Sequence, residues 1–424
     1  MEGDEREEGA GAITFFLSSL FSFLPYFAPM NSSYLTLISV LSLAVLISYA
    51  FDLFSSRFKT PSVLLLLALG MLARQATDYA GVQVPGVNTI LPTLGTLGLI
   101  LIVLEGALDL ELHREKLAVL RRTLLASLLS IVGASVLMAG LLYVLLNDSF
   151  YHCLIAALPF SILSSALAIP DASTLSAGQR EFIIYESAFA GILGVMGSNF
   201  LLLSRDSVWG AIGLFARDTL AMALISVACC FGLLYLIGRI NHRIKFLPII
   251  SVLSLVYAVA ELNHLSSLLL ILIFGLFLNN TELFIRGRLS LILKNDLFER
   301  ELDQLKSLAA EGAFVVRTFF FLLFGYAAVT RELIDSDALI VSTLLITIIV
   351  AWRYVTLRIT YPQGLYPLLW IAPRGLISLL LYLNIPPDLR LVGFRDGIPM
   401  LVIVLSALVM MVGVLRYKPK GSDE

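Results

Sequence analysis

Apolar runs of about twenty residues follow one another along the sequence from residue 33 to residue 417. About 20 apolar helical residues are needed to cross the roughly 30 Å hydrocarbon core of a bilayer. Only helices and closed barrels satisfy their backbone groups there. These runs are continuously apolar instead of alternating with a period of two, and charged residues make up only 14% of the chain. The sequence therefore predicts an all-α polytopic membrane protein.

The predicted transmembrane region contains about thirteen helices. The predicted spans are 33–54, 61–80, 90–110, 119–146, 152–175, 182–204, 210–238, 246–260, 265–280, 309–329, 337–360, 364–384 and 396–417. Another apolar run, 13–29, is interrupted by Pro25 and follows an acidic tail, whereas a secretory signal starts with basic residues. We interpret residues 1–32 as a tail with an interfacial or extra helix.

Basic residues predict the orientation of the chain. Lys and Arg are concentrated in one alternating set of loops, including the loop with Arg114, Lys116, Arg121 and Arg122. The positive-inside rule places this set in the cytoplasm. The first span is then entered from outside, and the C-terminal tail, 418–424, is cytoplasmic. We expect a multi-pass protein of the plasma membrane.

One long polar connection divides the membrane region. Residues 281–308 carry leucines and an isoleucine among charged residues, a pattern typical of an amphipathic helix at a membrane surface. We predict a cytoplasmic linker helix there. It joins a first membrane half, 33–280, with the fifth and sixth spans, to a second half, 309–417, with the twelfth and thirteenth.

Charge and composition argue against several classes of function. A net charge of −2 gives no basic surface for a nucleic acid. The three cysteines lie in or beside apolar spans and the four histidines lie at span ends, without metal-ligand spacing. No nucleophile or histidine-rich constellation indicates an enzyme. We expect no cofactor and no metal, and the lipid bilayer as the surrounding partner.

Ionisable residues inside spans are costly, so they are the first candidates for function. Glu105 lies in the third span, Glu186 begins the sixth, and Arg374 lies within the twelfth. An arginine keeps its proton under ordinary conditions. A buried Arg374 therefore needs a carboxylate or a ring of carbonyls as its partner.

Two spans contain interruptions. The fifth carries the small polar residues Ser164 and Ser165 and then Pro170 and Asp171, and the twelfth carries Pro373–Gly375. Proline removes a helical hydrogen bond, and discontinuous helices near the midplane hold ions in many transporters. The two spans are seven apart, an odd offset that permits an inverted repeat. An ordinary proline kink or span end is the alternative.

Four segments resemble, in order and spacing, the monovalent cation/proton antiporter superfamily, the sodium/proton exchangers. The segments are Leu99–Asp109, Tyr185–Gly191, Arg317–Gly325 and Pro373–Gly375. The second is similar to the Glu-Ser-x-x-Asn/Ser-Asp motif of the sixth span, and the fourth to an Arg-Gly motif. The resemblance extends over roughly residues 33–415.

The resemblance implies a homodimeric secondary transporter that exchanges Na⁺ or K⁺ for H⁺ by alternating access. It implies a core domain with two crossed, broken helices and a separate domain holding the dimer interface. Glu186 would pair with Arg374 to join the sixth and twelfth spans, and Glu105 would be an accessory carboxylate. Ser165 and Ser187 would lie along the ion and proton pathway.

The sequence departs from this pattern at the transport aspartate. That residue should fall five positions after Glu186, where this chain has Gly191, preceded by Ala190. The fifth-span Thr-Asp-Pro of many members reads Ala168–Pro170.

Two hypotheses follow from this departure. In the first, Asp171 or Glu105 replaces the missing acid and the protein is an active exchanger. In the second, the chain is a non-exchanging or regulatory relative on the same scaffold, such as a uniporter or an inactive variant. The sequence leaves both hypotheses open.

Overall fold

The computed structural model is helical wherever it describes regular structure, and this confirms the predicted all-α fold. The described residues are 42–51, 61–79, 87–108, 110, 116–164, 168, 175–204, 208–239, 246–262, 267–280, 296–328, 333, 335–395 and 397–416. Two predicted terminal segments, 1–32 and 418–424, lie outside them.

The chain divides into two compact units, residues 1–50 and residues 51–424. In the first, the described part is helix α1, Ser42–Phe51, whose last residue begins the second unit. All other described elements belong to the second unit.

Twelve further helices, besides short turns, lie in the described part of the second unit. They are α2 (Ser62–Tyr79), α3 (Val87–Leu108), α4 (Leu117–Leu146), α5 (Phe150–Ser161), α6 (Ala177–Leu203), α7 (Val208–Arg239), α8 (Phe246–Leu262), α9 (Ser267–Asn279), α10 (Asp296–Ala327), α11 (Ser336–Thr360), α12 (Leu376–Leu383) and α13 (Gly397–Arg416). A single helical turn, Leu365–Leu368, precedes α12.

Six helical segments within the described residues are long and apolar enough to cross a bilayer by themselves. They are Leu117–Leu146, Ala177–Leu203, Ile212–Cys229, Leu302–Ala327, Ser336–Thr360 and Gly397–Arg416. Shorter apolar helices occupy parts of several other predicted spans. The total of thirteen spans stays a prediction.

Several helix ends are fixed by local hydrogen bonds. The Asp335 side chain accepts from the N–H of Ala338 at 3.3 Å and caps α11. The Ser149 side chain accepts from the N–H of His152 at 3.2 Å and caps α5. These caps satisfy donors that the first turn of a helix cannot pair internally.

Helix α10 does not begin where the tenth span was predicted to begin. Residues 296–308, assigned by sequence to the end of the linker, form one continuous helix with the span that follows. Leu305 and Ala309 are both buried and lie four residues apart on one face, so the apolar stripe passes through the predicted boundary. The remainder of the predicted linker, 281–295, lies outside the described residues.

The helices of the second unit pack as two groups. In one group, α4 contacts α5, α6 and α11, while α11 contacts α13 and α5 contacts α12. In the other, α10 contacts α2 and α3, and α9 contacts α3, α7 and α8. Both interrupted segments of the chain belong to the first group. Helix α6 contacts α3, α7 and α9, and therefore borders the second group.

Candidate functional site

The first interruption follows α5. Pro159 lies in the last turn of this helix, which ends at Ser161, and Ile162 is already extended with φ −79° and ψ 126°. Residues 162–164 are not helical. The predicted break is therefore present, but the described interruption begins eight residues before Pro170, which lies outside the described residues.

The second interruption precedes α12. After the single turn at Leu365–Leu368 the chain leaves helical geometry, and residues 371–375 form no regular structure. Gly375 is extended, with φ −147° and ψ −153°, and α12 starts at the next residue. The predicted interruption at Pro373–Gly375 is confirmed.

The two interruptions lie against each other, at a contact called the crossing below, and hydrogen bonds between them satisfy backbone groups of both. The N–H of Ser164 donates to the carbonyl of Pro373 at 3.0 Å. The hydroxyl of Ser378, in the first turn of α12, donates to the carbonyl of Ile162 at 3.5 Å. Groups released where a helix breaks must find partners away from water. Here they find them in the opposite break, as expected for crossed, broken helices.

Glu186 forms a buried ion pair with Arg353. Nη1 of Arg353 lies 3.0 Å from Oε1 of Glu186, and Nη2 lies 3.1 Å from Oε2. The two side chains are only 4% and 2% exposed. The third nitrogen of the guanidinium, Nε, donates to the carbonyl of Leu368 at 2.8 Å. One guanidinium thus joins α6, α11 and the turn before the second break.

The predicted pairing of Glu186 with Arg374 is wrong. Both oxygens of the carboxylate already accept from Arg353, because α11 packs on α4 beside α6. Trp352 holds this contact: its Nε1 donates to the carbonyl of Leu129 at 2.8 Å, and its indole lies where a Cβ at Gly133 would be.

Arg353 was missed although the sequence carried a signal for it. On α11 the buried positions include Leu345, Ile349, Arg353 and Leu357, which follow one another at intervals of four. A charged residue on the apolar stripe of a spanning helix faces the protein interior. Arg358 lies on the exposed side of the same helix.

Arg374 is nevertheless part of the same site. Its side chain is buried, its backbone N–H donates to Oγ of Ser406 at 2.9 Å, and its Nε has no hydrogen-bond partner among the described residues. It lines a cavity of about 10 Å³, about the space of one water molecule. The cavity is lined by Ser127, Ser130, Ala134, Ser161, Leu163, Glu186, Ala190, Ile349, Trp352, Arg353 and Arg374. Two guanidinium groups and one carboxylate therefore face this cavity.

The other predicted site residues in the described part of the chain do not line this cavity. The hydroxyl of Ser187 donates to the carbonyl of Ile184 at 3.1 Å, within α6. Glu105 is half-buried on α3, in the other helix group. Asp171 and Ser165 lie outside the described residues.

Gly191 has room for a side chain. A Cβ built there meets only Cδ1 of Ile377, at 3.7 Å, which is ordinary van der Waals contact. One turn further along α6, a Cβ at Gly194 would overlap the side chain of Ile162. The packing of α6 thus requires glycine at 194 and leaves position 191 open to other residues.

Comparison with known proteins decides the family. Residues 40–385 match the family model described as sodium/hydrogen exchanger, transmembrane. The chain belongs to the sodium/hydrogen exchanger family. The predicted resemblance is confirmed, and with it a multi-pass membrane protein of a transporter family.

Solved structures agree with this assignment at the level of the fold. The sodium proton antiporter MjNhaP1 from Methanocaldococcus jannaschii at pH 8 is similar with a TM-score of 0.62 and 16% identity, covering 91% of this chain and 96% of that one. An electron-microscopy structure of the same antiporter gives a TM-score of 0.63 and 17% identity, with 92% and 100% coverage. No curated protein sequence matches this exchanger-family chain.

Proposed function

We propose that this family member is a secondary transporter that exchanges a monovalent cation, Na⁺ or K⁺, for H⁺ by alternating access. The supporting observation is the crossing of two interrupted helices beside the buried ion pair of Glu186 and Arg353. Non-helical backbone is tolerated inside the membrane only where it is buried in protein or lines a cavity. Transporters build their ion sites from such interrupted helices. The crossing supplies such backbone in a chain of the exchanger family.

The two helix groups suggest how the site moves. Arg353 ties α6 and α11 to the turn before the second break, and Gln179 at the start of α6 donates through Nε2 to the carbonyl of Tyr366 at 3.0 Å. These bonds make the group around the crossing a rigid unit. We propose that it is the mobile core and that the other group holds the interface of a homodimer.

The charges at the crossing require a further acid. Glu186 is neutralised by Arg353, so Arg374 leaves one positive charge that opposes cation binding. A carboxylate in a low-dielectric site must be neutralised by a cation or a proton, which is the physical basis of exchange. We assign this role to Asp171, with Glu105 as the second candidate. Ser165, Ser187 and Gly191 then belong to the pathway.

One observation favours the second candidate function, a non-exchanging or regulatory relative. Gly191 and Ala190 occupy the positions where the resemblance places the transport aspartate and its neighbour. Without a further acid, the excess positive charge at the crossing would exclude cations. Such a protein would keep the scaffold and lose the exchange.

Reconstitution separates the two. Purified protein in liposomes with an internal pH-sensitive dye is exposed to gradients of Na⁺, K⁺ and Li⁺. We expect cation-dependent proton flux that Asp171→Asn abolishes without lowering the folded yield, while Glu105→Gln tests the second acid in the same way. Flux no greater than in protein-free liposomes, appearing only in Gly191→Asp, would establish the non-exchanging relative.

The predicted topology belongs to the same proposal. We place the protein in the plasma membrane with its C-terminal tail in the cytoplasm, because the basic loops favour that side. A reporter fused to residue 424 and assayed for cytoplasmic or external activity tests this orientation.

A further inference from the structure

A second cavity lies between the two helix groups. Its volume is about 320 Å³, and its walls come from α5, α6 and α12 on one side and from α7, α8 and α9 on the other. The predicted topology places this end of every one of these helices outside. Its polar lining consists of Ser198, Asn199, Asp218, Thr219, Tyr257 and Asn384.

Asp218 is the carboxylate in this cavity. It lies within the apolar helix α7, and its side chain is only 6% exposed. Its ion-pair partner is the adjacent Arg217, whose Nε and Nη2 both contact the same oxygen, Oδ1, at 2.9 and 2.8 Å. The other oxygen, Oδ2, stays outside that pair. The arginine side chain is 69% exposed on the outer face of α7, so the packing around it does not hold it in place.

Neutral oxygens face the same space. Oγ of Ser198 and Oγ1 of Thr219 are buried atoms without a hydrogen-bond partner among the described residues. Helices α6 and α7 meet beside this cavity, where the rings of Phe200 and Phe215 pack edge to face with centroids 5.5 Å apart. Ser198 on α6 and Asp218 and Thr219 on α7 line the same cavity. Unpaired buried hydroxyls are costly unless a ligand uses them.

We propose that this cavity is a binding site for a small monovalent cation, with Asp218 as the charged ligand. Ser198 and Thr219 supply neutral oxygens, which hard cations prefer. Arg217 is a displaceable counter-ion: it neutralises the carboxylate when the site is empty and turns away from it when a cation enters.

The location gives this site its role. A cation bound between the groups is held on the external side before it reaches the crossing, where Arg374 repels it. The site thus rests on the proposed transport function and adds an external loading step to it. Arg217 competes with the cation for Asp218, so the affinity of the site for the cation is low. Removing the arginine should raise that affinity.

Binding can be measured without transport. The thermal unfolding midpoint of detergent-purified protein is recorded against NaCl, KCl and LiCl, with N-methyl-D-glucamine chloride keeping ionic strength constant. The Asp171→Asn background removes any contribution of the core acid. We expect a saturable rise in the midpoint that Asp218→Asn and Thr219→Val each abolish. Arg217→Gln should lower the half-saturating concentration by about tenfold, the equivalent of about 1.4 kcal/mol.

Asp78→Asn is the matched control, because Asp78 also pairs with an arginine of its own helix, Arg74, but lies on the surface. Its cation response should equal that of the starting protein. A response that persists in Asp218→Asn and Thr219→Val would overturn the site, as would no response in the starting protein. Proton flux is measured separately: absent flux with an Asp218-dependent response rejects the proposed function and retains the site.

Discussion

Two of the acid–arginine pairs in the described part of the membrane region, Arg353–Glu186 and Arg217–Asp218, differ in one respect that determines what each acid can do. At the crossing, both oxygens of Glu186 are held by an arginine that is itself buried. In the cavity between the helix groups, Arg217 contacts one oxygen of Asp218 and is 69% exposed. A buried partner fixes a carboxylate as part of the structure. An exposed partner leaves it available to another cation.

Neutralising the arginine of each pair is the strongest test of this difference. Arg353→Met leaves a buried carboxylate without its counter-charge, and we expect a loss of about 3–5 kcal/mol in stability and a collapse of folded yield. Arg217→Met should cost less, because this arginine is exposed and contacts only one oxygen of Asp218. Thermal unfolding and size-exclusion profiles in detergent measure both. Equal losses in the two variants would contradict the comparison.

Removing a hydroxyl group should also cost more stability at the crossing than in the cavity, although the difference should be smaller than for the arginines. Oγ of Ser406 accepts the backbone N–H of Arg374, so Ser406→Ala leaves a buried donor unpaired and should cost about 1–3 kcal/mol. The Thr219 hydroxyl has no such partner among the described residues. Thr219→Val should therefore leave the unfolding midpoint unchanged, or raise it, in cation-free buffer. A loss in Thr219→Val as large as in Ser406→Ala would refute this assignment.

Two glycines of α6 sharpen the comparison within one helix. Gly191→Ala should raise stability by about 0.5–1 kcal/mol, because alanine favours helix and the position has room. Gly194→Ala should lower it by about 1–3 kcal/mol, because the added methyl overlaps Ile162. Unfolding midpoints of the two variants decide. If Gly191→Ala lowered stability as much as Gly194→Ala, position 191 would not accept a side chain. The Gly191→Asp variant could then not be used in the flux experiment.

The smallest effect concerns pH at the loop between α4 and α5. Burial alone raises the pKa of the Asp148 carboxyl, but the N–H groups of Ser149 and Val392 and the ring of His152 contact it and hold that pKa below 3.8. Because the folded pKa is lowered, the stabilisation is complete above 3.8 and is lost as pH falls through the folded value. Asp148→Asn should lower the midpoint slightly at pH 7, and this difference should shrink as the pH falls below 3.8. A difference that grows at low pH would contradict the assignment.

The sequence predicted the fold through properties that do not depend on which helices meet. Apolar length predicted the helices, and the proline and glycine at Pro373–Gly375 predicted the second break. The described part of the first break begins at Ile162, near Pro159, whereas the sequence pattern predicted a break at Pro170.

The site was predicted less well because ion pairing depends on helix faces. Glu186 and Arg374 do reach one cavity, but the contact of α11 with α4 gives the carboxylate to Arg353. The Arg217–Asp218 pair was missed because adjacent opposite charges in an apolar run look self-neutralising. Only the packing of α7 against α6 shows that one of them is buried and the other is not.

The bond between the N–H of Ser164 and the carbonyl of Pro373 is made entirely by main-chain atoms. No exchange of side chains at either residue removes it, apart from proline at 164, which lacks the N–H. The crossing can therefore persist while nearly every side chain around it drifts. Selection can then change the acid at a position such as 191 without dismantling the frame that held it. A family built in this way can differ in chemistry much sooner than it differs in shape.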